Sequence, residues 1–101
     1  MNDVTASPTG TRYVVLPNGT VVPWDLCQAF RRLLEESIPW LPPGVNCDVR
    51  DLVTPRFWLP LGKGLRSKLG QCLAHWVAVG ELPLEFAGSP RRPNKRYRLR
   101  Q

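Results

Sequence analysis

The sequence predicts an α+β fold, a core of three helices with a β-hairpin at each end. Three observations lead there. Two segments repeat apolar residues at three- and four-residue steps, the spacing of one helix face. Two others gather β-branched, aromatic and aliphatic residues around turn-forming ones, the pattern of a hairpin. The chain has 101 residues, 43% of them hydrophobic and four of them Trp, which is enough for one domain with a small core. No apolar run approaches the ~20 residues of a bilayer span, so no membrane partner is expected. Met1 to Gly10 has neither the basic start nor the apolar run of a secretory signal, and the expected location is cytoplasmic.

Residues 1–11 are small and polar and read as a flexible tail, which leaves 12–101 as a single domain. Tyr13-Val14-Val15-Leu16 and Thr20-Val21-Val22 flank Pro17-Asn18-Gly19. Asn-Gly tolerates the positive φ that tight hairpin turns require, so a hairpin is expected over 12–22. Pro23-Trp24-Asp25 opens a helix. Leu26, Phe30 and Leu33, with Cys27, Leu34 and Ile38, form its apolar stripe, and Arg31, Arg32, Glu35 and Glu36 take the other face. Pro39, Pro42, Pro43 and Gly44 make the next stretch a rigid loop.

Val45-Asn46-Cys47 reads as a short extended stretch. Asp48 is a helix-capping residue with Asp51 three positions on, and the short helix expected there covers 48–53. Thr54-Pro55 repeats the start signal, with Phe57, Trp58 and Leu61 as core candidates. Gly62-Lys63-Gly64 then precedes the clearest helix, 64–79. Its Leu65, Leu69, Cys72, Leu73, Trp76 and Val77 share one face, and Gly80 is placed to end it. Leu82 to Ala87 and Lys95 to Arg100 read as strands joined by a turn-rich basic tip at 88–94. Alternation in the last strand puts Tyr97 and Leu99 inside and Arg96, Arg98 and Arg100 outside.

Three cysteines, Cys27, Cys47 and Cys72, are an odd set for a disulfide framework. A zinc site would need all three plus His75, the one histidine, so no metal or other cofactor is expected and the thiols read as small buried groups. Catalysis has no foothold either. Glu35 and Glu36 diverge on their helix, Cys47 has no histidine near it in sequence, and no phosphate-loop motif is complete, so the chain is not expected to be an enzyme.

Charge is the strongest functional signal. The net charge is +6, but residues 1–54 carry four basic and six acidic side chains, whereas residues 55–101 carry ten basic and two acidic. The second half is therefore +8, concentrated at the start of helix 64–79 and along the C-terminal hairpin. Such asymmetry points to an anionic partner.

The order helix, extended stretch, short helix, turn, helix, strand, basic loop, strand over 24–100 resembles the winged helix-turn-helix family. The stretch 54–63 is longer and richer in Pro and Gly than that family's tight turn, and the N-terminal hairpin is an addition. The resemblance implies that helix 64–79 enters the major groove of double-stranded DNA and that the basic wing 88–96 lies on the backbone or in the minor groove, in a transcription regulator or an accessory DNA-binding factor. Lys63, Arg66, Ser67, Lys68 and Gln71 form the helix's polar face near its start. Arg66 and Gln71 carry groups suited to guanine and adenine edges. Arg91, Arg92, Lys95, Arg96 and Arg98 supply phosphate contacts on the wing. The DNA-binding form could act as a homodimer or with a protein partner; the alternatives are a protein-interaction module on the same fold and RNA binding. Trp40, in the Pro-rich loop, is either an exposed anchor for a partner or second subunit, or a lid over the core.

Overall fold

The first hairpin forms where β-branched residues flank Asn18-Gly19. Strands β1 (Tyr13–Val15) and β2 (Val21–Pro23) pair antiparallel with Val14 opposite Val22. The turn closes with Gly19 at φ +90°, a conformation that costs a glycine little. Leu16 both donates to the Thr20 carbonyl and accepts from Gly19 N–H, each at 2.8 Å. Val22 is fully buried, while Tyr13, Val15 and Val21 stay exposed on the other face. The computed structural model describes residues 12–87 and 96–100; the predicted tail at 1–11 and the wing tip with Arg91, Arg92 and Lys95 lie outside the described residues.

Helix α1 (Trp24–Ser37) buries Cys27, Phe30 and Leu34 and leaves Arg32, Glu35 and Glu36 outside. The chain then makes one 3₁₀ turn at Ile38–Trp40 before extending at Leu41, so the rigid loop starts a turn later than the prolines suggest. Pro39 fits the first turn of such a helix because its missing N–H has no partner to lose there. Trp40 is 86% exposed and is no lid over the core.

The second helix is displaced from its expected place at 48–53. Val49–Asp51 is a single 3₁₀ turn, closed at its start by Asp48 N–H donating to Asp51 Oδ2 at 2.8 Å. The α-helical turn is α2 (Pro55–Trp58), where Thr54 Oγ1 accepts from Phe57 N–H at 3.3 Å. Pro55 explains the break. A residue before proline is pushed out of the helical region, and Thr54 is extended at ψ 149°, so the first turn cannot run on into the second.

Helix α3 (Lys63–Ala78) buries Leu69, Cys72, Leu73, Trp76 and Val77. It ends at Gly80, φ +80°, where Glu81 N–H donates to the Trp76 carbonyl at 2.9 Å and Gly80 N–H to that of Val77 at 3.2 Å. This paired closure satisfies carbonyls that a helix end leaves open. Phe30 of α1 stands 6.1 Å from the Phe57 ring and 6.0 Å from Trp76, joining all three helices. Phe30, fully buried, contributes about 1.5–3 kcal/mol of apolar transfer.

Strands β3 (Leu84–Ala87) and β4 (Arg96–Leu99) pair antiparallel, Leu84 with Leu99 and Phe86 with Tyr97. Tyr97 is buried and Leu99 half-buried. On the free edge of β4, Cys47 forms an isolated antiparallel bridge to Tyr97. The described residues thus form a compact α+β domain of three helices and two small antiparallel hairpins. No described helix is long and apolar enough to cross a membrane.

Candidate nucleic-acid interface

The start of α3, the turn at Asp48–Arg50 and the edge of β4 enclose an open groove of about 520 Å³. Lys63, Arg66, Ser67 and Gln71 line it from the helix, with the small residues Gly70 and Ala74. Asp48, Arg50, Tyr97 and Trp58 also line it. Four of the five helix residues picked out by charge and polarity therefore share one groove. The fifth, Lys68, sits half-buried on α3 and does not line it.

These side chains are not equally available. Lys63 and Ser67 are exposed, and Lys63 makes no ion pair among the described residues. Arg66 donates from Nε to the Trp58 carbonyl at 3.3 Å and from Nη2 to that of Leu59 at 3.0 Å. Its guanidinium also lies 5.7 Å from the Trp58 ring centroid. Arg66 thus caps the carbonyl end of α2 and fastens that turn to α3. Gln71 is engaged through its carbonyl: Oε1 accepts from Asn18 Nδ2 at 2.9 Å and from Thr20 Oγ1 at 2.5 Å.

On the hairpin, both described arginines of the predicted set have carboxylate partners. Arg96 Nε stands 3.5 Å from Asp48 Oδ1, and Arg98 Nε donates to Glu85 Oε2 at 2.5 Å. Asp48 Oδ1 is buried and makes no hydrogen bond, so Arg96 is its nearest compensating charge. The more exposed Arg98–Glu85 pair contributes about 0–1 kcal/mol.

Cys47, considered above as a nucleophile, is held as a thiol. Burial pushes it up, and Asp51 and Asp48 push it further in the same direction. Its Sγ donates to the Tyr97 carbonyl at 3.3 Å. A thiol so placed is a poor nucleophile. Cys27 and Cys72 are likewise free and buried. Among the described residues, no cluster of three or more His, Cys, Asp or Glu is placed to hold a metal.

Sequence reasoning missed Asn18, Thr20, Asp48 and Arg50 as parts of this region. The contact of Asn18 and Thr20 with Gln71 spans about fifty positions of sequence and leaves no local trace. The Glu85–Arg98 pair, by contrast, follows from the hairpin register, which sets them opposite each other. No protein-family model matches the chain, and comparisons with curated proteins and with solved structures also find no match.

Proposed function

We propose that this domain binds double-stranded DNA on a winged-helix arrangement, with α3 directed to the major groove and the C-terminal hairpin as the wing. The observation that carries the reading is the gathering of Arg50, Lys63, Arg66, Ser67 and Gln71 around one open groove that β4 borders. Arg96, on β4, reaches that groove's wall through Asp48. Further support comes from the Cys47–Tyr97 bridge, which sets one extended residue between α1 and α2 against the hairpin. That order of elements is the one a winged helix needs. The chemistry is phosphate neutralisation by clustered cations, with base edges met by side chains near the helix start.

The test is a titration of the chain with random-sequence duplex DNA at low and at moderate salt. Binding at micromolar protein or tighter is expected, with log K falling by about 0.9 for each phosphate contacted per unit of log salt. No binding at low salt overturns the proposal. The second reading, a protein-docking module, is favoured by the 86% exposure of Trp40. It would take over if a partner or a second copy bound in a manner that depended on Trp40 and ignored Lys63 and the wing arginines.

A further inference from the structure

The orientation of the Gln71 amide is fixed by a chain of donors that starts at a backbone group. Thr20 N–H can only donate, and it donates to the Asn18 side chain at 3.0 Å. The Asn18 atom that receives it must be Oδ1, so the other end of that amide, Nδ2, is a donor. Nδ2 meets Gln71 at 2.9 Å, and the Gln71 atom there must in turn be Oε1. Thr20 Oγ1 donates to the same oxygen at 2.5 Å. A carboxamide oxygen has two lone pairs, and both are thereby occupied. Gln71 Nε2, with two N–H donors, has no hydrogen-bond partner among the described residues, and Gln71 lines the open groove.

We infer that Gln71, clamped by the N-terminal hairpin turn, acts as a donor-only reader that selects guanine over adenine at its position in the duplex. The inference rests on the DNA-binding reading above. A glutamine that contacts adenine in the usual bidentate manner donates to N7 and accepts from the N6 amine, and acceptance requires a vacant carbonyl oxygen. Here the oxygen is taken. Guanine presents N7 and O6, two acceptors and no donor on that edge, which matches an amine with two hydrogens. The hairpin that precedes α1 is then more than an addition to the core. Asn18 and Thr20 are positioning residues that set the chemistry of a helix they do not belong to.

The experiment is selection of bound duplexes from a randomised pool by the full chain, with the salt slope measured in parallel. The wild-type chain is expected to enrich guanine at one position by about tenfold over adenine. The double variant Asn18→Ala with Thr20→Val releases Oε1. It should move that position toward adenine and leave the salt slope unchanged, because no phosphate-binding cation is touched. Gln71→Met should abolish the preference at that position alone. Should the double variant not fold, Thr20→Val by itself vacates one lone pair and is expected to narrow the guanine preference. Enrichment of adenine by the wild-type chain overturns the inference while duplex binding stands, and so does a preference that neither hairpin variant alters. Absence of any duplex binding overturns the reading beneath it.

Discussion

Cys47 and Tyr97 exchange both backbone hydrogen bonds, Cys47 N–H to the Tyr97 carbonyl at 2.7 Å and Tyr97 N–H to that of Cys47 at 2.8 Å. One residue pair thereby attaches the segment between α1 and α2 to the last strand. Both amides are expected to exchange with solvent far more slowly than those of Asn46 and Val45, which are exposed. Cys47→Pro removes one donor from the bridge and should loosen Arg96 from Asp48 as well. Hydrogen exchange followed by NMR reads both effects, and fast exchange of Tyr97 N–H in the wild-type chain would count against the bridge.

Buried acidic groups make this fold sensitive to alkali. Burial pushes the Cys72 thiol up to about 12, with Cys27 adding to the rise. Burial likewise pushes the Tyr97 hydroxyl up to about 12, with Cys47 adding. In the unfolded chain these groups return to 9.0 and 10.0. Between the two sets of values the unfolded chain has released protons that the folded chain retains, so stability falls as pH rises. The contribution is complete below about pH 9 and is lost toward pH 12, at up to about 1.4 kcal/mol per pH unit for each group. Urea midpoints from neutral to strongly alkaline pH measure this. Tyr97→Phe should flatten the part of the curve above about pH 10.

The two long helices were legible in the sequence because their apolar spacing is sustained over several turns, and Phe30, Leu34, Leu69 and Leu73 lie fully buried, on the predicted faces. Gly80 was legible for a different reason, as a residue suited to positive φ after the last apolar position. The short elements were less so. Asp48 and Thr54 are both good caps, and periodicity cannot choose between two such short candidates; the extended geometry forced on Thr54 by Pro55 does. At the candidate site, residue types could be read but not their engagement. That Arg66 caps α2 depends on how the turn between the two helices brings them together, and that Asn18 and Thr20 hold Gln71 depends on long-range packing, which has no signature in local pattern.

The same substitution should have opposite signs at two glycines of α3 and its end. Gly80 holds φ +80°, so Gly80→Ala is expected to cost about 1–2 kcal/mol. Gly70 lies in the helix interior, and a Cβ there meets nothing within 4 Å. Gly70→Ala should therefore stabilise by about 0.5–1 kcal/mol through helix propensity. Equilibrium denaturation of the two variants distinguishes them, and a matching sign would contradict the geometry of the helix end.

Trp40 is 86% exposed on its 3₁₀ turn, whereas Trp58 and Trp76 are buried. Its fluorescence should be the fraction that acrylamide quenches most readily, ahead of the half-buried Trp24, and Trp40→Ala should remove that fraction while changing stability by no more than about 0.5 kcal/mol. A larger loss of stability would mean that the side chain packs on the domain. Unchanged duplex affinity in this variant would separate Trp40 from the proposed DNA-binding face.

On the proposed DNA-binding reading, Glu85 restrains a cation that the C-terminal hairpin would otherwise offer. It accepts from Arg98 Nε at 2.5 Å, and both side chains are partly exposed, at 38% and 45%. A duplex phosphate approaching Arg98 has to compete with that carboxylate and is also repelled by it. Glu85→Gln keeps the shape, removes the charge and leaves Arg98 to the phosphate. Duplex affinity should rise, and the slope of log K against log salt should steepen by up to about one unit, the signature of one added phosphate contact. Arg98→Ala should produce little loss in the wild-type background and a clear loss in the Glu85→Gln background. That contrast isolates the competition, because an arginine remote from the DNA would give no change in either background. A gain in affinity on Glu85→Gln that survives Arg98→Ala unchanged would instead assign it to general charge.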